Sequence, residues 1–201
     1  MKIGLHMIVK NESHNIVECL DSCNGLIDFT VVAVDAGQES DVTYNLIKDR
    51  PNTYVYRQVW PDSFGKARQE SLLKLIELQP DVDYICWIDG DDRWGTVGQG
   101  SITHEEVRRR LEAEWPEAVN NEYVYADDIS NDKPSLTYPR LRMCLYQKNR
   151  PLAYGWEGSA HETLMLKHPT GKHQVSWNDW ILVHYRAKDI DFKPKTSRNV
   201  S

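Results

Sequence analysis

Asp89-Gly90-Asp91-Asp92 sets three carboxylates within four residues, directly after the apolar run Tyr84 to Ile88. Like charges that close repel one another and raise their own pKa values unless a cation holds them. Oxygen donors suit a hard divalent ion such as Mg²⁺ or Mn²⁺, which keeps water and shares its remaining positions with phosphates. Gly90 lets a ligand approach the backbone. A solvated acidic turn is the plain alternative. Two more apolar runs end in polar groups, at Lys10-Asn11-Glu12 and at Asp35-Ala36-Gly37. Carboxylates in such places are costly unless something binds them, although acidic residues also cap turns and helices.

The elements that must position these groups alternate in the first half. Lys2 to Val9 reads as a strand, followed by Ser13 as N-cap of a helix carrying Ile16, Val17 and Leu20 on one face. Phe29 to Val34 is a nearly continuous β-branched run, the mark of a strand covered on both faces. Val42 to Lys48 reads as a helix, Thr53 to Tyr56 as a short strand, Phe64 to Leu78 as a helix and Tyr84 to Ile88 as a buried strand. This rhythm predicts an α/β sheet, with ligands bound beyond the carboxyl ends of its strands. The three polar clusters stand at such ends.

The second half is less regular. Arg93 to Gly100 reads as a loop, His104 to Glu114 as a charged helix and Asn120 to Pro134 as a polar, turn-rich stretch. Leu136 to Tyr146, Leu152 to Trp156 and Val175 to Tyr185 read as strands. Arg140 and Arg142 alternate on the first of these, either to offset phosphate or acceptor charge or as one solvated face. One domain over residues 1–201 is the simplest organisation: a ligand-binding half at 1–100, a second half at 101–190 and a tail at 191–201.

The chain has 201 residues, with 24 Lys and Arg against 30 Asp and Glu, for a net charge of -6. That balance argues against a nucleic-acid binder that relies on bulk charge. Seven Trp, ten Tyr and three Phe must pack somewhere, which argues against disorder. No apolar run approaches the roughly 20 residues that span a bilayer. Lys10 interrupts the opening MKIGLHMIVKNES before a signal-peptide core could form. Cys19, Cys23, Cys86 and Cys144 form no Cys-x-x-Cys pair, so reduced structural thiols and a cytoplasmic location are expected.

The stretches LHMIVKNESHNIVECLDS, VVAVDAGQESDVT, SFGKARQESL and YICWIDGDD stand in the order seen in family-2 glycosyltransferases of the GT-A fold. The chain resembles the bacterial and phage branch whose opening reads MIVKNE. The resemblance continues through YPRLRMCLY, YGWEGSAHETL and ILVHYRAKD, and so covers residues 1 to about 190. It implies a GT-A (Rossmann-like), mostly parallel central sheet flanked by helices, with a less regular C-terminal acceptor region.

The same resemblance assigns roles. The Asp-x-Asp of the family falls on Asp89, which would serve the ribose or sugar, and Asp91, which would bind the metal under the donor diphosphate. Asp92 would assist through a metal-bound water. Asp35 matches the acidic position that contacts the nucleoside, Val9, Asn11 and Glu12 the loop under base and ribose, and Arg68 the Arg of an Ala-Arg-Asn helix that here reads Ala67-Arg68-Gln69. Glu162 matches the catalytic carboxylate of inverting enzymes, with Glu157 the competitor and His161 orienting acceptor or diphosphate. Glu162 is expected to follow a strand and open a helix, where an acidic residue is also common for the dipole alone. His184 falls where many such enzymes carry a metal-binding His, although a lone polar strand end would look the same. Among Trp60, Trp94 and Trp156, the last is the candidate for stacking. The DTGSTDGT turn of the family reads one residue longer here, which leaves Asp41 without an assigned role.

The implied activity is an inverting transfer of a sugar from a nucleoside diphosphate, UDP by default, with Mn²⁺ or Mg²⁺. The acceptor is open between a polysaccharide, a protein and a modified base of phage DNA, with the acidic balance tilting away from DNA. Two alternatives compete. A nucleotidyltransferase would usually open with a Gly-rich basic loop where Lys10-Asn11-Glu12-Ser13 stands, and an inactive nucleotide-sugar-binding protein would keep the fold without turnover.

Overall fold

The computed structural model describes residues 1–37, 42–95, 101–126, 136–146, 154–159, 162–166 and 174–185. Among these residues the chain forms strands β1 (Ile3–Val9), β2 (Phe29–Asp35), β3 (Thr53–Gln58), β4 (Tyr84–Trp87) and β5 (Asp92–Trp94). Strands β6 (Ala118–Ala126), β7 (Leu136–Leu145), β8 (Tyr154–Glu157), β9 (Thr163–Leu166) and β10 (Gln174–Tyr185) follow. The helices are α1 (Ile16–Asp21), α2 (Thr43–Ile47), α3 (Phe64–Leu78) and α4 (His104–Glu114).

Eight strands make one sheet in the order β3-β2-β1-β4-β7-β6-β10-β5, and β8 with β9 make a second, antiparallel pair. β1 runs parallel to β2 and to β4, and β2 parallel to β3. β10 also runs parallel to β6, while β7 is antiparallel to β4 and β6 and β5 is antiparallel to β10. β1 and β2 are covered on both faces, which is why both are largely apolar, with His6 and Thr30 the buried polar exceptions inside them. Helix α3 lays Ala67, Arg68, Ser71, Leu72 and Leu75 inward, with the Ser71 hydroxyl donating to Met7 O of β1. The chain leaves β1 for β2 and β3 on one side, then crosses to β4 on the other. The strand order therefore reverses between β1 and β4, and open α/β sheets bind ligands beyond the strand ends at such a reversal.

Three local expectations are corrected. Ser13 does not cap α1: the helix begins at Ile16 after Asn15, the Glu12 carbonyl accepts from the Asn15 and Ile16 N–H groups, and Val17 is exposed. Residues 118–126, which overlap the start of the stretch expected to be turn-rich, form β6, whose Asn121 and Tyr123 are fully buried. Asp92–Trp94, at the start of the expected loop, pairs with β10 as a three-residue strand too short to show a period of its own.

Candidate active site

Two of the polar clusters read from the sequence meet at the carboxyl ends of β1 and β4, and the third lies at the adjacent end of β2. After β1 the backbone turns at Asn11, with φ 58°, and the Glu12 N–H donates to Thr43 Oγ1 at 3.0 Å. Glu12 then lies against the turn after β4. A Cβ on Gly90 would stand 2.7 Å from Glu12 Cγ and 3.2 Å from Val9 Cγ1, so only glycine lets Val9 and Glu12 approach this closely. At the end of β2, Asp35 accepts from Lys10 Nζ at 2.7 Å and from the Gly37 N–H at 2.9 Å. Burial alone would raise its pKa, but these two donors together hold it below the usual carboxylate value.

Asp89, Asp91 and Asp92 have three different environments. Asp89 pairs with Arg68 Nη2 and lies 3.5 Å from Arg142 Nη2; burial opposes its ionisation, yet the two guanidiniums hold its pKa well below the carboxylate range. Asp92 is fully buried, whereas the Asp91 and His184 side chains remain 25% and 18% exposed. Burial pushes Asp91 up to about 7 against the pull of His184, with the carboxylates of Asp92, Asp89 and Glu12 adding to the rise. His184 is raised: burial lowers it, and the hydrogen bond to Asp92 and the charge of Asp91 more than compensate. Asp91, Asp92 and His184 each offer a ligand atom, all within 4.8 Å of one another. Three carboxylates (Asp89, Asp92 and Glu162) pair with the guanidiniums of Arg68 and Arg142, and Asp91 has only the imidazole of His184, so a divalent cation would offset negative charge at Asp91.

The second half of the site is held by Arg68, which is almost fully buried. Its Nε donates to Glu162 Oε1 at 2.6 Å while Nη2 engages Asp89, and Nη1 is buried without a partner among the described residues. Glu162 does not open a helix. It stands immediately before β9, which pairs with β8 so that Glu157 lies opposite Thr163. The pair is clamped to the start of α3: the Phe64 and Gly65 N–H groups donate to the Ser159 and Gly158 carbonyls at 3.2 and 3.1 Å. Ser63 caps the helix by accepting from the Lys66 N–H. These bonds satisfy donors that a helix N-terminus otherwise leaves orphaned.

Val9, Asn11, Glu12, Arg68, Asp89, Asp91, Glu162 and His184 therefore gather at one end of the sheet, with Asp35 at the neighbouring strand end. His161 and Asp41 lie outside the described residues. Arg68 spans two carboxylates, so it ties Glu162 to Asp89. Trp156 packs against Arg68 at 5.3 Å and edge-on to Trp87 at 5.2 Å. Trp94 instead stacks on Trp180 at 4.2 Å in the core, and Trp60 meets Phe64 edge-on. Arg142 is not on a solvated face; it is 1% exposed. The sequence reading missed Tyr123, whose hydroxyl donates to Asp92 Oδ1 at 2.7 Å. The buried face Asn121–Tyr123, alternating within β6, was the signal that could have found it.

No family model matches the chain, and no curated protein matches it in sequence. Among solved structures it is similar to GalNAc-T7 with UDP, GalNAc and Mn²⁺, at TM-score 0.58 and 10% identity over 92% of this chain and 44% of that one. It also matches S. aureus TarS at TM-score 0.49 and 17% identity, over 64% of this chain and 22% of that one. A third match, 4-diphosphocytidyl-2C-methyl-D-erythritol synthase, has TM-score 0.47 and 13% identity, over 72% of this chain and 75% of that one. The chain spans less than half the length of the first two. The GalNAc-T7 likeness shows the fold, and the two weaker ones add nothing to it. The chain has a Rossmann-like GT-A fold with a mostly parallel sheet flanked by helices. No helix among the described residues is long and apolar enough to cross a membrane.

Proposed function

We propose that this chain is an inverting, metal-dependent glycosyltransferase that moves a sugar from a nucleoside diphosphate, a UDP-sugar by default, to an acceptor hydroxyl. The observation that carries this reading is the meeting of two half-sites: partly exposed Asp91 beside His184, and Glu162 held by Arg68, joined through Asp89. The donor set fits Mn²⁺ or Mg²⁺, since carboxylate and neutral imidazole both suit these ions and either ion would offset negative charge at Asp91. When bound by Asp91 and His184, such an ion supplies Lewis-acid stabilisation of a diphosphate leaving group, several kcal/mol of it.

The chain's own residues do the rest. Asp35 takes the nucleoside, and Val9, Asn11 and Glu12 form the floor under base and ribose. Asp89, kept ionised by Arg68 and Arg142, accepts hydrogen bonds from ribose or sugar hydroxyls. Nη1 of Arg68 offers a donor to the leaving diphosphate. Arg68 fixes Oε1 of Glu162, and Oε2 takes the proton of the acceptor hydroxyl as its oxygen attacks the anomeric carbon opposite the leaving group. That line of attack is what inverts the centre. His161 would orient the acceptor or the diphosphate, and the acceptor class is a polysaccharide, a protein or a modified DNA base.

The test is thermal stability against UDP-, GDP-, CMP- and dTDP-sugars, each with and without Mn²⁺. A Mn²⁺-dependent rise with one nucleotide class is the expected result and names the donor for acceptor screens. A rise only with a nucleoside triphosphate would move the activity to nucleotidyl transfer. No response at all would reject the reading.

A further inference from the structure

Asp92 is one of the three groups that could hold a metal, yet its bonding differs from that of the other two. A carboxylate has about four acceptor positions; three donors and one imidazole nitrogen already occupy them. Oδ2 accepts from the Asp89 N–H at 3.0 Å and from Arg142 Nη2 at 3.3 Å. Oδ1 accepts from the Tyr123 hydroxyl at 2.7 Å and lies 3.0 Å from His184 Nδ1. The side chain has no exposed surface, while Asp91 and His184 both open to solvent. A metal that shares its coordination with a diphosphate must be reached from that open side.

The fold places these groups by register. Asp92 sits directly opposite His184 across the antiparallel β5/β10 pair, so their side chains share a face. Arg142 is the extra residue of a bulge in β7: Met143 pairs with Val119 and Leu141 with Asn120, leaving Arg142 between them. Bulges re-aim side chains in this way. His184 Nδ1 is 3.4 Å from Asp91 Oδ1, so Asp92 is its nearer acceptor.

We propose that Asp92 is a positioning residue and not a metal ligand: it holds His184 in the Nδ1–H tautomer, leaving the Nε2 lone pair to bind the ion beside Asp91. The identity of the ion rests on the function proposed above; the tautomer does not. A metal-bound imidazole commonly donates its second N–H to a carboxylate, and that partner sets the ring's orientation and basicity.

The wild-type protein without metal tests this directly by long-range ¹⁵N–¹H correlation of its histidine rings, at a pH above the titration of His184. The His184 signals are identified by their loss in His184→Gln. The expected result is a neutral ring protonated on Nδ1. A proton on Nε2 overturns the inference, and this readout requires no variant of Asp92 to fold. Calorimetric titration with Mn²⁺ alone then compares wild type with Asp92→Asn. The variant should bind Mn²⁺ roughly 10–100-fold more weakly and should carry the His184 proton on Nε2. Unchanged Mn²⁺ affinity or an unchanged tautomer in folded Asp92→Asn also overturns it. Absence of Mn²⁺ binding in wild type would sink the metal dependence proposed above, while the tautomer would still decide the role of Asp92.

Discussion

The proposed mechanism gives each side chain of the site a separable job, and single substitutions test these jobs one at a time. Glu162→Gln keeps a hydrogen-bonding group for Arg68 but cannot take a proton, so donor binding should persist while transfer is lost. If the variant transfers sugar at the wild-type rate, Glu162 is not the base. Asp91→Ala should remove Mn²⁺-dependent donor binding, read by calorimetry with donor and Mn²⁺ together. His6 gives a prediction independent of function. It is fully buried in β1, neither ring nitrogen has a partner among the described residues, and burial with the nearby Arg68 cation pushes it down to about 3. In the unfolded chain the imidazole titrates at the ordinary 6.5. Between those values the unfolded chain binds the extra proton, so this contribution is fully present above 6.5 and is lost as pH falls towards 3. The slope is about 1.4 kcal/mol per pH unit. His6→Leu should flatten that part of a urea-midpoint profile, and an unaltered acid limb would refute the assignment.

At the scale of elements, the decisive contact is between the start of α3 and the β8/β9 pair. A Cβ on Gly65 would stand 2.5 Å from the Gly158 carbonyl oxygen, and backbone cannot yield as a flexible side chain can. Gly65→Ala should therefore cost about 1–3 kcal/mol by overpacking. Because Glu162 immediately precedes β9 of the displaced pair, transfer should fall further than stability when the rate is measured well below the melting temperature. Helix α3 was legible from its apolar spacing. Arg68 occupies the same buried stripe as Ala67, Leu72 and Leu75, and a charged residue there announces an internal partner without naming it. Strands β5 and β6 were not legible. β5 has three residues, and β6 carries Asn120, Asn121 and Glu122, a polar run that alternation across a covered sheet accommodates.

Over the whole molecule, the site links the two ends of the sequence, so its occupation should stabilise the fold as a unit. Mn²⁺ and the matching donor at about 100 times the dissociation constant should add about 2.7 kcal/mol. For a chain of this size that is a rise in melting temperature of about 5–10 °C, reversed by a chelator. A rise with donor that persists in chelator would show that the nucleotide binds without the ion. The amino-acid sequence alone determined the α/β rhythm, the parallel core strands and the polar groups at their carboxyl ends, because these rest on local periodicity and on the cost of burying charge. It also placed Asp91, Glu162 and His184 among the candidates through resemblance. Only the tertiary structure decided that Glu162 faces Arg68, that Arg142 turns inward from a bulge, and that Asp92 lies opposite His184. Those are matters of register between strands far apart in the chain. A slip of one residue would send each side chain to the other face, and no local pattern encodes which register the assembled sheet adopts.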